Sequence, residues 1–394
     1  MNGRSFWALP GPESFCDRIL GNLVEGKSVV LFLPDRMPDG LKRTVMSDVA
    51  REAPDKCFYE LFPSDFDPED SPLASLFRFF EVKPEKGWSG DFLSCETLVQ
   101  SESFKNGIVW IEEADGQNIR DWLSFLRKYE KASRNIELTE RTLFCFCVVG
   151  LSPESVEIKQ DVCLKFLPWK GYVDFFDMLL YAHWNFPVIS EGGLRRELAV
   201  NMAACLALWD PEVIERLAES SFLNTLSPYS VLEEMGRERG WDVKGFEPCW
   251  ENGAEEGRNG RLKLHSAYLA LSDGLKELNS RIWSGQSTCL LPLIEEHRLS
   301  LIGSLKGNLR LPFPSCYESS ITEAEDLEIG HIWFQIEKGD LHVTAQQKKR
   351  ISKLRRLRNV LSHQQVAKPA DIEFLIGCGR DFPDGGADKI PDPE

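Results

Sequence analysis

Five short apolar runs in the first half of the chain most constrain its fold. Each run has the length of a β-strand, and stretches with helical spacing, such as 41–52 and 119–133, lie between the runs. Strands connected by helical crossovers usually pair in parallel. The alternation therefore predicts an α/β domain with a doubly wound, mostly parallel five-stranded sheet. The five runs are 28–33, 57–62, 107–111, 142–149 and 162–167.

The second half of the chain is predicted to be helical. After Trp169, apolar residues recur at intervals of three and four instead of in short continuous runs. Residues 251–260 (ENGAEEGRNG) are rich in Gly, Asn and charge, which predicts a linker. The helical stretches are 172–183, 194–209 and 211–219 before it, and 262–284, 289–305, 323–337 and 345–361 after it.

These patterns predict four segments. An α/β domain occupies 1–185 and a helical extension follows at 186–250. A helical domain occupies 261–378. The end of the chain at 379–394 is rich in Pro, Gly and Asp, and is predicted to be a disordered tail.

The net charge excludes a protein that coats nucleic acid over its whole surface. The 394 residues carry a formal net charge of −16, which repels phosphate unless the contact is local. One basic cluster lies near the C-terminus, and two interpretations stay open for it: a patch that binds RNA, or a solvated helix face. The cluster consists of Lys348, Lys349, Arg350, Lys353, Arg355, Arg356 and Arg358.

Cysteine spacing and hydropathy predict neither metal nor membrane. The eleven cysteines are scattered without a C-x-x-C pair, so neither a zinc site nor a disulfide framework is indicated. The chain has no apolar stretch of about 18 residues, and its first residues have no continuous apolar segment. We therefore expect a cytoplasmic protein with no bound metal, no cofactor and no membrane contact.

The letters of a phosphate loop occur in the wrong structural order. Residues 21–28 read G-x-x-x-x-G-K-S, with Lys27 as the basic residue. A working loop follows a strand and opens a helix. Here a helical pattern precedes Lys27 and the strand 28–33 follows it. The loop after that strand, 34–40, has no Lys before a Ser or Thr and carries Asp35 and Asp39, so we predict no functional nucleotide site.

The remaining order of the first domain resembles a P-loop ATPase of the AAA or STAND type. Residues 107–115 (GIVWIEEAD) are similar to a Walker B segment, in which acids at a strand end hold Mg²⁺. Glu112 stands where that segment usually has Asp, and the strand 142–149 ends without a polar sensor residue. The resemblance implies a degenerate ATPase-like scaffold. An acidic turn after a buried strand is the alternative for Glu112 and Glu113.

The most specific motif lies at the end of the basic helix, where Arg358, Asn359 and His363 read R-N-x-x-x-H. This spacing resembles the signature of HEPN-type helical domains. The resemblance implies a metal-independent ribonuclease, in which an imidazole moves a proton and a guanidinium stabilises charge on the phosphate. Relatives of this kind pair two copies of the motif across a homodimer, and many of them keep the motif without nuclease activity.

Helix geometry shows why pairing matters for this motif. Positions five apart on a straight helix are separated by about 140°. Arg358 and His363 therefore converge only if the last turn loosens or if two protomers meet. A structural His at the helix end stays the alternative for His363. Glu328 and His331, three positions apart, are predicted to be a second polar shell, an accidental metal pair or an acidic helix start, and Trp333 is predicted to pack among the helices.

Together the two resemblances predict a component of a prokaryotic antiviral defence or toxin-type system. An ATPase-like scaffold or sensor would restrain a ribonuclease module. The expected partners are RNA, other proteins of the system and a second copy of the chain. The alternative is a non-enzymatic adaptor subunit in which both modules are inactive.

Overall fold

The computed structural model of this chain describes residues 6–67, 69–87, 90–114, 119–156, 162–187, 193–258, 260–314 and 320–377. They form two compact units, and the chain passes through each of them twice. The first unit contains the chain up to Asp177 together with Val243–His265. The second contains Met178–Asp242 together with the chain from Ser266 onward.

A parallel sheet organises the first unit. The strands there are β1 (Ser28–Leu33), β2 (Cys57–Leu61), β3 (Glu85–Gly87), β4 (Gly90–Phe92), β5 (Gly107–Ala114), β6 (Leu143–Val149) and β7 (Leu164–Pro168). Five of them form one sheet in the order β2-β5-β6-β1-β7, with every neighbouring pair parallel, while β3 and β4 form a small antiparallel pair. Each predicted run supplies one strand of the large sheet, so the predicted α/β fold is confirmed.

One helix precedes these strands and the others lie between them along the chain. They are α1 (Pro10–Val24), α2 (Leu41–Glu52), α3 (Pro72–Phe79), α4 (Cys95–Gln100) and α5 (Ile119–Ala132), with short 3-10 turns at Phe6–Ala8, Pro63–Asp65, Ser133–Asn135 and Pro153–Ser155. All six residues of β1 are buried because the strand is central, with Val30 paired to Phe146 on one side and to Phe166 on the other. At the edge of the sheet, only Leu61 of β2 is buried.

The strand order places a crevice beside β1. The chain leaves β1 for β2 at the far edge of the sheet, whereas β7 lies on the other side of β1. Ligands of open α/β sheets bind at such a reversal, outside the carboxyl ends of the strands. The carboxyl ends of β1, β5 and β6 meet at this edge because the three strands are parallel.

The predicted linker at 251–260 is wrong. This part of the chain contains β8 (Glu255–Arg258) and leads into β9 (Arg261–Leu264), which pair as an antiparallel hairpin. The segment packs on the first unit, since Trp250 Nε1 donates to the Trp169 carbonyl at 3.0 Å. Gly260, with φ of 73°, lies in the turn of this hairpin and does not form a flexible joint.

Helices build the second unit. They are α6 (Phe175–Asn185), α7 (Gly193–Ala207), α8 (Pro211–Glu219), α9 (Phe222–Leu226), α10 (Tyr229–Glu238), α11 (Ser266–Leu271), α12 (Leu275–Leu305), α13 (Ile329–Lys338), α14 (Ala345–Ser362) and α15 (Pro369–Gly377). Two 3-10 turns lie at Lys306–Asn308 and Ala324–Asp326. Among the described residues, no helix combines the length and the apolar character that crossing a bilayer needs.

The units divide the chain differently from the predicted segments. The helices predicted as a separate extension at 186–250 share a core with those after Ser266. A Cβ on Gly285 of α12 would lie 2.7 Å from the Met202 Cα of α7, so the two helices approach closely. Ser266 Oγ also donates to the Leu206 carbonyl at 2.6 Å. The predicted tail at 379–394 lies outside the described residues.

Three predicted helix bounds need correction. The stretch 262–284 begins as β9 and turns into a helix only at Ser266. The stretch 289–305 belongs to α12, a single helix of 31 residues that continues through Pro292. The stretch 323–337 begins with a 3-10 turn, and α13 starts at Ile329. The prediction of 345–361 is confirmed by α14 within one residue.

Candidate functional site

A cleft opens at the carboxyl edge of the sheet in the first unit. Its volume is about 510 Å³, and the loop 34–40, the first turn of α2 and the ends of β5 and β6 line it. The first unit has a strand, a loop and a helix in this order, with an acid on a neighbouring strand, an order that P-loop domains also have. Nucleotide phosphates bind in such domains between the first strand and its helix.

Lys27 lies at the opposite end of β1 from this cleft. The predicted order is confirmed, because α1 ends at Val24 and β1 begins at Ser28. Lys27 forms an ion pair with Glu25. The six residues of β1, at about 3.3 Å each, separate Lys27 from the cleft by roughly 20 Å.

The loop 34–40 does not fit a nucleotide phosphate. Pro34 and Pro38 have no backbone N–H to donate. The N–H of Asp35 donates to the Glu251 carbonyl at 2.8 Å. Asp35 and Asp39 also line the cleft and add negative charge. Partial burial raises the pKa of Asp35, with the charge of Arg36 opposing the shift and that of Glu251 adding to it.

Lys42 provides a cation beside the acidic strand end. Its Nζ lies 2.7 Å from a carboxylate oxygen of Glu112 on β5, and it also pairs with Glu60 on β2. In a working Walker B segment the acid holds Mg²⁺, whereas an ammonium group of the protein neutralises Glu112 here. The sequence identified Glu112 but gave no signal for Lys42, since the two residues meet only when α2 and β5 fold together.

The pKa of Lys42 shows how strong this arrangement is. Desolvation alone would lower the pKa of Lys42. Hydrogen bonds with Glu112 and Glu60, and the charges of both acids, outweigh desolvation and raise the pKa of Lys42 above its ordinary value. The ammonium form is therefore the stable state of this residue at neutral pH.

In the second unit, the basic helix α14 has the predicted construction. It begins with a capping box, in which Thr344 Oγ1 accepts from the Gln347 N–H at 3.2 Å and Gln347 Oε1 accepts from the Thr344 N–H at 2.9 Å. The predicted apolar stripe is buried. It consists of Ile351, Leu354, Leu357 and Leu361.

Two side chains of α12 fix the end of α14. Trp283 Nε1 donates to the Leu361 carbonyl at 2.7 Å. The side-chain amide of Gln286 makes two hydrogen bonds with the backbone of Ala367, at 2.8 and 3.2 Å. His363 lies between these two fixed points as the C-cap of α14, where the sequence placed it, and its ring is exposed.

Arg350 does not belong to the exposed basic surface, so its predicted role in nucleic-acid binding is corrected. It is only 7% exposed, and its guanidinium donates to Nδ1 of the equally buried His297 at 2.9 Å. The sequence suggested exposure because charged residues surround Arg350. Its position at the inward face of α14, one residue before the buried Ile351, decides otherwise.

A shallow groove runs along the exposed face of α14. Asn359 and His363, one helical turn apart, both line it. Its volume is about 340 Å³. The groove therefore joins two residues of the R-N-x-x-x-H motif to part of the basic cluster. Its lining is Ser352, Arg355, Arg356, Asn359, Val360, His363 and Gln365.

Arg358 lies outside this groove. It pairs with Glu328 at 2.9 Å, at the start of α13. Glu328 is the N-cap of α13 and forms a capping box with His331, so the predicted acidic helix start is the correct alternative for these two residues. Because α14 stays helical to Ser362, the structure of one chain does not bring Arg358 and His363 together.

Most other cations of the cluster have partners within the second unit. Lys348 pairs with Glu337 at 3.2 Å. Lys353 and Arg356 both pair with Asp371, at 3.7 and 3.0 Å. Lys349 is exposed.

Metal ligation is not indicated in the described part of the chain. No group of three or more His, Cys, Asp or Glu side chains there could hold a metal ion. The cysteines at the described positions are free thiols. Burial raises the pKa of Cys16 to about 12, so this thiol stays protonated and packs as a small apolar residue.

Comparisons with known proteins add little to this geometry. No protein-family model and no curated protein matches the chain. Among solved structures, the chain is similar to the ORC2 protein of Aeropyrum pernix, described as ADPNP-ADP complexes. The identity is 12%, the alignment covers 93% of each chain and the TM-score is 0.29. This likeness is too weak to indicate a function.

Proposed function

We propose that this chain is a scaffold subunit of a prokaryotic defence or toxin-type system that binds RNA through the groove of α14. The observation that carries the proposal is the composition of that groove. Arg355, Arg356, Asn359 and His363 face solvent along one side of a rigidly held helix. Guanidinium, amide and imidazole groups are donors that suit phosphate oxygens. The local cluster also gives an acidic protein the positive surface that RNA requires.

The first unit supports a scaffold role without nucleotide turnover. Its cleft carries the acids Asp35 and Asp39 beside Arg43, and Lys42 already neutralises Glu112. The defence or toxin context rests on analogy with the pairing of an ATPase-like and a HEPN-like module, and a fold by itself does not fix a function.

A metal-independent ribonuclease is the second candidate, and exposed His363 favours it. An imidazole beside bound phosphate could take the proton from the attacking 2′-hydroxyl or give a proton to the leaving 5′-oxygen. Arg358 of the same chain is turned away, so the R-N-x-x-x-H site of this candidate needs two copies of the chain, as in the HEPN-like homodimer.

Fluorescence anisotropy with a labelled single-stranded RNA tests the proposed function. We expect binding that weakens with salt and is lost when Arg355 and Arg356 are both changed to Glu. Arg310→Glu is the matched control, since this exposed arginine lies in the same unit but outside the groove. Binding unaffected by the double change, or no binding, would refute the proposal.

Incubation of a mixed RNA pool in EDTA tests the second candidate. Cleavage by the wild-type protein that is abolished in His363→Ala would establish the ribonuclease, with a loss of about 10²–10⁴-fold expected for a general acid or base. Intact RNA after incubation with the wild-type protein, alone and with its partners, would leave the binding role only.

A further inference from the structure

The arginine that the motif pairs with His363 is not the one that lies nearest to it around α14. At about 100° per residue, Arg356 lies roughly 20° from His363 around the helix, and Asn359 roughly 40°. Arg355 is roughly 80° from His363, and Arg358 roughly 140°. The lining of the groove agrees, because it includes the first three residues and leaves out Arg358.

Arg358 is occupied by carboxylates. Its guanidinium pairs with Glu328, and this contact joins α14 to the start of α13. Glu295 lies near enough that Arg358 contributes to lowering its pKa, after the larger effect of Arg298. A phosphate at Arg358 would therefore compete with one acid and be repelled by another.

Arg356 is only partly neutralised, since it shares the single carboxylate of Asp371 with Lys353. Arg355 differs from both. Within the described residues it forms no ion pair, and its guanidinium lies over the ring of Trp333, 5.9 Å from the ring centroid.

The cation–π contact with Trp333, a ring that Lys348 also contacts at 5.5 Å, positions Arg355 for an anion. A guanidinium stacked on an aromatic face keeps its N–H groups free at the edge, and those groups match the oxygens of phosphate. The half-buried ring of Trp333 also limits the rotamers of Arg355, so less side-chain entropy is lost on binding. Arg355, Asn359 and His363 follow one another at intervals of four residues along the groove.

We infer that Arg355, with Asn359 and His363, binds a phosphodiester of single-stranded RNA, and that Arg358 is a positioning residue that ties α14 to α13. This inference rests on the proposed RNA-binding function and names the residues that perform it. It reverses the assignment that the R-N-x-x-x-H letters suggest, because the phosphate ligand is the arginine three positions earlier.

Two matched variants test the inference, each replacing an arginine of α14 by glutamine. Arg355→Gln is expected to weaken binding of a labelled oligouridylate by about tenfold or more, the range for a hydrogen bond to a charged group. The dependence of log affinity on log salt should fall by about 0.7, which corresponds to one lost phosphate contact with a single strand.

Arg358→Gln should leave the affinity within about twofold. It should lower the melting temperature by roughly 1–3 °C, because it removes one partly exposed ion pair between helices. Equal losses of affinity in both variants, or a larger loss in Arg358→Gln at an unchanged melting temperature, would overturn the inference and leave the proposed function standing.

If the wild-type protein binds no RNA, a second probe tests the anion site separately from the RNA-binding function. Inorganic pyrophosphate is titrated while the histidine ring protons are followed by NMR, with His363→Gln used for assignment. A shift of the His363 resonance in the wild type that is lost in Arg355→Gln would preserve the anion site while the RNA-binding function fails. No shift in the wild type would overturn the inference as well.

Discussion

Replacing Lys42 by Met should destabilise the first unit, because it leaves Glu60 and Glu112 facing each other without a cation. Exposed ion pairs contribute about 0.2–1 kcal/mol each, and breaking a fully buried pair costs about 3–5 kcal/mol. The side chains of Lys42, Glu60 and Glu112 are 29%, 35% and 23% exposed, which lies between these limits. Allowing for solvent screening, we expect a loss of about 1–3 kcal/mol, or roughly 2–10 °C in melting temperature.

Thermal unfolding at neutral pH, followed by circular dichroism, measures this effect in a double-mutant cycle with Glu112→Gln. The double variant should lose less than the sum of the single variants, because removing Glu112 also removes the repulsion that Lys42→Met creates. Lys105→Met is the matched control. Lys105 also has two carboxylate partners, Glu102 and Glu140, but these are 87% and 52% exposed, so its loss should be smaller.

Magnesium provides the refuting test of the same reasoning. If Lys42 fills the position of a metal ion, millimolar Mg²⁺ should raise the melting temperature of Lys42→Met and leave that of the wild type unchanged. If Lys42→Met melts at the same temperature as the wild type, or if the effects in the double-mutant cycle are additive, the ion pairs do not hold β2, β5 and α2 together.

Two further predictions concern nucleotide and pH. Calorimetry with Mg·ATP should show no binding in the micromolar range, and Lys27→Ala should behave as the wild type does. A binding isotherm that Lys27→Ala abolishes would contradict the prediction that Lys27 has no nucleotide role. Burial, opposed by the hydrogen bond from Tyr181 and aided by neighbouring acids, raises the pKa of Glu215. A carboxyl group with a raised folded-state pKa takes up protons on folding, so its contribution falls as pH rises from about 4. Glu215→Gln should therefore melt higher than the wild type near pH 7, with a difference that shrinks toward pH 4, whereas a constant difference would refute the assignment.

The local sequence determined the elements of this protein. The five strands followed from continuous apolar runs, because a buried parallel strand is apolar on both faces. The helix α14 followed from the apolar stripe Ile351, Leu354, Leu357 and Leu361, and its end at His363 was predicted correctly. These features depend on neighbours within one or two turns or one strand, which the sequence displays directly.

Only the tertiary structure decided which residues meet. The apparent linker at 251–260 became a hairpin because Trp250 and Glu251 bond to the first unit. Arg350 became a buried residue because His297, on α12, accepts its hydrogen bond. Lys42 met Glu112, and Arg358 met Glu328, across distances in sequence that no spacing rule connects. The motif letters specified which groups were present, whereas contacts between distant elements determined which of them stayed free for a ligand.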